Sequence, residues 1–403
     1  MNALAALRIG IDATQAGIAN GERGGVYQYI RQLIRHVGAA SPNSELRLMF
    51  ALPHRRHTST IRQFVAEFDR QNVVSRRCPL PMRYLRRWRI PVDLFLGRID
   101  VFHAPAHLGL RCRSSPVVVT VHDLAYLRDR GGESAPTELE SEERRQWEIR
   151  RGFLAELAEG MEESVREARL VIAVSNATRD DLVAAFGIAS AKVRVVRLGV
   201  RDDVRRVGAD ICAAVTTPYG LRASYWLYVG VLDPNKNLVT MLEGYARYRR
   251  QGGKRALAIA GQSAFYGTAL RRRARELGIE DDVVFLGYVP DAHLPALYSA
   301  ATAVVMPSPL EGFGLPALES MACGTPVIAA GAGALPEVVG DAGLLVDASD
   351  ARQFAEAMQR LDDDGALRAD LAVAGMRRST QFSWKRAALE TLGVYAEAAG
   401  RQR

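Results

Sequence analysis

Apolar positions recur along this chain at two spacings, and the two alternate. Arg8-Ile-Gly-Ile-Asp12 is strand-like, and Val26, Tyr29, Ile30, Leu33, Ile34 and Val37 then fall on one face of a helix. Further strands are predicted at 46–52, 101–103, 117–121, 170–174 and 193–197, with a long charged helical stretch at 133–167. The strand segments are near-continuous runs of Val, Ile and Leu, not strict alternations. Such runs belong to strands covered on both faces, as in a parallel sheet with helices on either side.

The same rhythm restarts at Tyr225. Strands are predicted in WLYVGV, ALAIAG, VVFLGYV, TAVVMPS, PVIAA and GLLVD, with helices from Leu238, at 268–277, 293–299 and 316–322, from Pro336 and at 351–361. Residues 201–224 show no clear period and contain Thr-Thr-Pro-Tyr-Gly, so they read as a linker. The expectation is α/β: two Rossmann-like, doubly wound domains facing a cleft at the carboxyl ends of their strands. The chain of 403 residues fits two domains of ordinary size.

Composition narrows the class. A 48% hydrophobic and 24% charged chain is that of a globular protein, and no apolar run approaches the ~20 residues that span a bilayer. The N-terminus lacks a basic segment followed by a long apolar one, so no signal peptide is expected. Cys78, Cys112, Cys212 and Cys323 are scattered without a CxxC pair, which suits unreactive thiols and a cytoplasmic protein. The net charge of +8 is densest at Arg76-Arg77, Arg83, Arg86, Arg87, Arg89 and Arg98, interleaved with Tyr84, Leu85, Trp88 and Ile90. No nucleic-acid signature accompanies this stretch, so nucleic acid is not an expected partner. It reads either as a solvated surface or as a contact with the inner face of an anionic membrane.

Candidate chemistry concentrates in TAVVMPSPLEGFGLPALESMACGTPVIAAG, residues 302–331. A buried strand runs into a loop with Gly312 and Gly314, and Pro316 stands where a helix's first turn begins. The helix start offers N–H groups and positive dipole charge to an anion, for which phosphate is the natural guest. Glu311 and Glu319 would be costly beside phosphate unless they accept hydrogen bonds from neutral hydroxyls, so sugar and ribose are the expected partners. The junction Gly331-Ala-Gly-Ala-Leu-Pro-Glu337 repeats the design, and the N–H groups of Ala334 and Leu335 are candidates for the same pyrophosphate; a plain capped turn is the alternative. Lys236, after the strand ending at Gly230, suits a diphosphate as a compact charge.

In the first half, Gly24 and Gly25 precede a helix and leave a loop able to approach a ligand. His122-Asp123 follows the strand VVVTV, where His122 would bond a sugar hydroxyl or else be a structural histidine held by Asp123. His103 and His107 occupy a similar exit loop. Neither half shows GxGxxG after its first strand with an acid ~20 residues on, which argues against an oxidoreductase, and P-loop and HExxH motifs are absent. Asp362-Asp363-Asp364 resembles a metal-binding run, but it reads as a solvated helix end, and neither metal nor cofactor is expected.

Together these residues resemble glycosyltransferase family four, the retaining enzymes of the GT-B fold. The likeness rests on the glycines at 24–25, HDL at 122–124, AVSNATRDDL at 173–182, YVGVLDPNKNL at 228–238, EGFGLPALESMACGTPVIA at 311–329 and the terminal FSWKRAA. It implies an acceptor-binding domain at 1–203, onto which the helix at 383–403 packs back, and a nucleotide-sugar domain at 204–382. It further implies that Glu311 holds the transferred sugar, Glu319 the ribose and Lys236 the diphosphate. The segment Gly312-Phe313-Gly314-Leu315 with Gly230 would line the donor, His122 would approach its sugar, and backbone near Tyr288 would meet the base. Val231 stands where many members have Arg, and Asn235 where another basic residue is common. The LDPNKN segment looks like the form found among mannosyl- and rhamnosyltransferases, which points to GDP-mannose as donor and a glycan or lipid-linked acceptor. A non-catalytic sugar-nucleotide-binding partner is the competing reading.

Overall fold

The computed structural model describes residues 6–18, 24–52, 57–68, 72–106, 109–128, 139–222, 224–262 and 266–401. The chain forms two compact units: Met1–Tyr126 with Ala155–Gly199 and Ser383–Arg403, and Leu127–Leu154 with Val200–Phe382.

The first unit is built on a parallel sheet of seven strands: β1 (Arg8–Asp12), β2 (Glu45–Phe50), β3 (Val73–Arg77), β4 (Val101–Ala104), β5 (Val117–Val121), β6 (Leu170–Ala173) and β7 (Val193–Val195). Their order is β3-β2-β1-β4-β5-β6-β7. The second unit carries a parallel six-stranded sheet: β8 (Trp226–Val229), β9 (Leu257–Ala260), β10 (Val283–Gly287), β11 (Ala303–Met306), β12 (Val327–Ala330) and β13 (Leu344–Val346). Its order is β10-β9-β8-β11-β12-β13.

Burial follows the apolar runs. Every residue of β4, β6, β9, β11 and β12 is buried, as strands sandwiched between helices require. Parallel neighbours oblige each strand to be followed by a crossover, so all the carboxyl-end loops of one sheet emerge on one edge. In each sheet the order reverses once, between β1 and β4 and between β8 and β11. Loops leaving adjacent strands diverge at such a reversal and leave a crevice there, which is where open α/β sheets bind ligands.

Sequence and structure differ in several places, the first being that Leu127–Leu154, expected within a first domain at 1–203, groups with the second unit. The strand β3 has no sequence counterpart in the apolar pattern, because it lies at the sheet edge and three of its five residues are exposed. Residues 201–224 are not an irregular linker: Ala209–Thr216 is a helix, packed against the helix Leu294–Ala300. Its small residues, Ala, Cys and Ala, give little amphipathic signal. The helix Gly365–Ser379 also lies beyond the predicted elements. At the chain's end Trp384–Ala398 is a helix that packs on Gly25–Ala40 within the first unit. Among the described residues no helix is long and apolar enough to cross a membrane. The four cysteines are free, and burial pushes the Cys323 thiol up to about 12.

Candidate active site

The reversal point of the second sheet gathers the charged residues singled out above. Beyond β8, Asp233 accepts the N–H of Asn235 at 3.0 Å and so caps the turn Pro234–Lys236. Asn237 follows with φ +55°, a left-handed conformation that asparagine tolerates better than most residues. Its amide donates to the carbonyls of Pro307 at 3.0 Å and Ala348 at 2.6 Å. This ties the loop after β8 to the loop after β11. Tyr228, buried, donates its hydroxyl to Val231 O at 3.0 Å and stiffens the same loop. The outcome is a fixed Lys236, whose ammonium meets Glu311 Oε1 at 2.7 Å. Lys236 and Glu311 are 26% and 15% exposed, so the pair is neither dry nor fully solvated and remains open to competition from a ligand.

Glu311 opens the loop that leads into the helix Leu315–Ala322. Gly314 caps that helix with φ +91°, and a Cβ there would come within 2.7 Å of Leu335, so glycine is required for both reasons. Pro316 brings no N–H, and the N–H groups of Ala317 and Leu318 both donate to Gly314 O at 3.1 and 3.2 Å. The expected anion cradle over the whole first turn is therefore narrower. At this helix start no bond from the Gly314 or Leu315 amide to a protein acceptor occurs among the described residues. Gly324, at φ +70°, follows the end of the helix. Phe313 is buried and meets Phe382 edge-on at 5.8 Å, so it anchors the loop and does not offer a stacking face.

The loop after β12 departs from expectation. The Ala334 N–H donates to Glu311 O at 2.9 Å, and both Ala334 and Leu335 are fully buried. That amide is spent on holding the Glu311 loop and is not available to a pyrophosphate. Gly230 lies at the exit of β8 and Tyr288, 41% exposed, just past β10. The acidic run 362–364 closes the helix Ala351–Asp363, with Asp363 and Asp364 exposed as expected, while Asp362 accepts Arg255 Nε at 2.6 Å and Asp364 also caps the next helix. Among the described residues no group of three or more His, Cys, Asp or Glu side chains could hold a metal.

Glu319 has partners that sequence reasoning missed. Its side chain is 9% exposed; Oε2 accepts the Tyr298 hydroxyl at 3.0 Å, and Oε1 lies 3.2 Å from Arg201 Nε. Burial raises its carboxyl above the ordinary range, and Arg201 opposes that shift. Arg201 lies far from Glu319 in the chain and within an aperiodic stretch, so no local pattern announces it. Arg150 is a second missed cation, with Nη2 at 2.5 Å from Asp233 on the Lys236 loop. It falls on the Lys236 side of the same unit, whereas Val231 is 55% exposed and adds no charge to that loop.

In the first unit the candidates are of another kind. His122 is not held by Asp123: its Nε2 donates to Pro105 O at 2.8 Å, and Tyr29 packs edge-on at 4.7 Å. Burial pulls its pKa down, so the ring is a neutral group with Nε2 committed to the backbone. His103 is wholly buried between Thr120 Oγ1 at 2.8 Å and the Tyr395 hydroxyl at 2.6 Å, and burial drives it down to about 3. Asp12, 2% exposed at the end of β1, accepts the N–H of Thr14 at 3.0 Å and its hydroxyl at 2.5 Å; burial raises it to about 6. Gly24 caps the helix Gly25–Ala40, and a Cβ at either glycine would meet nothing within 4 Å. His107 lies outside the described residues.

Known proteins match along most of the chain. A model of Glycosyltransferase Family 4 matches residues 23–204, and one of Glycosyl transferases group 1 matches residues 221–378. The O-antigen chain mannosyltransferase B of Escherichia coli is 34% identical over 242 residues, covering 59% of this chain and 63% of that protein. A D-inositol 3-phosphate glycosyltransferase of Acidothermus cellulolyticus is 35% identical over 232 residues, 55% of this chain and 52% of that protein. The chain thus spans little more than half the length of these curated relatives. Anabaena HepE in complex with UDP and glucose superposes with a TM-score of 0.70 at 19% identity, covering 97% of this chain and 100% of that one. Sucrose-phosphate synthase from Thermosynechococcus elongatus does so at 0.71 and 22%, covering 98% and 100%. At these identities the likeness shows the fold, which is GT-B.

Proposed function

The chain belongs to the group 1, family 4 glycosyltransferases, and from that premise we propose that it moves a sugar, with retention, from a nucleoside diphosphate sugar to a glycan or lipid-linked acceptor. The observation that carries this reading is the Lys236–Glu311 pair at the reversal point of the second sheet. A cation and a carboxylate at contact distance, both partly exposed, are matched to a ligand that presents phosphate next to hydroxyls. On binding, the diphosphate takes Lys236, and Glu311 is released to accept hydroxyls of the transferred sugar. Charge that builds on the departing diphosphate meets Lys236 and the amides of Gly314 and Leu315. Losing one such preorganised donor typically costs ~2.7–4 kcal/mol of transition-state stabilisation. The diphosphate's own oxygen takes the acceptor's proton, so the scheme needs no dedicated protein base.

Within this reading Gly230, Gly312 and Leu315 line the donor, Phe313 anchors its loop, backbone near Tyr288 faces the base and Glu319 takes the ribose. The second unit is the donor side, while the first supplies the acceptor side with His122 and the Gly24-Gly25 loop. GDP-mannose is the proposed donor, supported by the LDPNKN segment and by the mannosyltransferase name of the Escherichia coli relative. The same relative's name supports a role in bacterial surface polysaccharide synthesis. Titrating the protein calorimetrically with GDP-mannose, UDP-glucose and the free diphosphates tests the assignment. GDP-mannose is expected to bind most tightly, and binding of none of them contradicts it.

Contact with the inner face of a membrane is part of the proposal. Trp88 and Leu94 are 60% and 68% exposed in the first unit, among the exposed Arg83, Arg87, Arg89 and Arg98. Apolar side chains amid cations suit an anionic lipid surface. The protein is expected to sediment with vesicles containing phosphatidylglycerol and not with pure phosphatidylcholine; equal recovery with both removes the contact.

A further inference from the structure

Arg201 stands one residue into the main segment of the second unit, and its side chain is 3% exposed. Three carboxylates surround it: Glu319 at 3.2 Å, Asp291 at 3.4 Å and Asp203 at 3.6 Å. The Tyr298 hydroxyl, itself fully buried, donates to the Glu319 oxygen that faces away from Arg201. The cluster is not closed on itself: the enclosed Nε and Nη2 of Arg201 have no hydrogen-bond partner, and Nε meets Glu319 as an ion pair at 3.2 Å.

Two physical points follow. A buried ion pair gives little net stability over apolar packing, so a fold alone has weak need of one here. A carboxylate that must accept neutral hydroxyls, by contrast, has to be both ionised and fixed in orientation; the Arg201 charge beside Oε1 favours the ionised form and the Tyr298 hydroxyl bonded to Oε2 fixes the orientation. With three carboxylates around one guanidinium the cluster carries excess negative charge. It therefore disfavours phosphate and favours the hydroxyl end of a nucleotide, whose diphosphate is left to Lys236.

We infer that Arg201 is a positioning residue of the donor site, holding the Glu319 carboxylate so that its remaining lone pairs accept the ribose hydroxyls of the bound nucleotide. The inference rests on the assignment of Glu319 to the ribose proposed above. The spare Nη2 donor is then available to an oxygen of the same ligand.

Calorimetric affinities for GDP and 2′,3′-dideoxy-GDP, or for the uridine pair if UDP binds better, isolate the ribose hydroxyls. The wild-type protein is expected to prefer the hydroxylated nucleotide by ~10–100-fold, as suits hydrogen bonds to a charged group. Glu319→Gln and Arg201→Gln are each expected to cut that preference to about threefold or less, with affinity for the dideoxy nucleotide within about twofold of wild type. Arg201→Lys keeps the charge that buried Glu319 needs for folding but lacks the planar fork. Its preference is expected to fall at least about threefold, and it decides the matter alone if Arg201→Gln does not fold. A wild-type preference retained in the Arg201 variants overturns the inference while leaving Glu319 on the ribose. Equal losses for both nucleotides also overturn it, since they mark a purely structural role. No preference in the wild-type protein removes the Glu319 assignment, and the inference with it.

Discussion

The two sheets of this protein have the same winding, yet their reversal points are furnished in opposite ways. In the second unit, Lys236, Glu311, Asp233 and Arg150 meet at the loops after β8 and β11 as partly exposed ion pairs. In the first unit, the carboxyl ends of β1, β4 and β5 carry a buried, uncharged network in which Tyr29 and His103 share Thr120 and Tyr395 caps His103. Burial there drives His103 and His122 toward their neutral forms and raises the Asp12 carboxyl. One fold thus provides a charged, exchangeable surface in one unit and a rigid, neutral one in the other. The first arrangement suits a diphosphate; the second suits an uncharged hydroxyl-bearing molecule.

The largest effect that would sharpen this contrast is on turnover. Glu311→Gln is expected to lower donor turnover by ~100–1,000-fold, read as release of the nucleoside diphosphate, with folding intact. Near-wild-type turnover would remove the functional distinction between the two reversal points.

Asp12 tests the buried side through pH. Folding raises its pKa from 3.8 to about 6, so the folded state binds that proton more tightly than the unfolded chain. The stabilisation from protonated Asp12 is complete below pH ~4 and is lost as pH rises through ~6. Asp12→Asn is therefore expected to stabilise the protein by up to ~3 kcal/mol at pH 7.5, an advantage that vanishes near pH 4. A pH-independent difference in denaturation midpoint would contradict the raised pKa of the buried Asp12.

Tyr395→Phe leaves the buried His103 Nδ1 without a partner. A loss of about 1–3 kcal/mol in stability is expected, with nucleotide affinity unchanged. A comparable loss of nucleotide affinity would mean that the two reversal points do not do separate work. Val231→Arg is the smallest change. It adds an exposed cation to the Lys236 loop and is expected to tighten nucleoside diphosphate binding by ~0.3–1 kcal/mol, less at high salt.

How far the sequence showed all this follows the same contrast. Val/Ile runs reveal the buried strands because burial on both faces leaves no alternation to misread. The edge strand β3 stays hidden because Arg76 and Arg77 face solvent. Gly314, Pro316 and Gly324 mark the ends of the helix Leu315–Ala322 because their backbone limits are local. The fate of an N–H is not local: Ala334 is drawn off by Glu311 O, and Ala317 and Leu318 by Gly314 O, through turns that composition does not fix. Arg201 and Arg150 reach Glu319 and Asp233 only through tertiary structure, so no spacing rule could propose them.

The central claim is that Lys236 holds the diphosphate. Its most direct test is the calorimetric affinity of the free nucleoside diphosphate for the wild-type protein and for Lys236→Ala at one ionic strength. Removing this charge-assisted contact is expected to weaken binding by ~10–100-fold, while the affinity of the corresponding nucleoside, which has no phosphate, stays the same. Unchanged diphosphate affinity in Lys236→Ala would contradict the account.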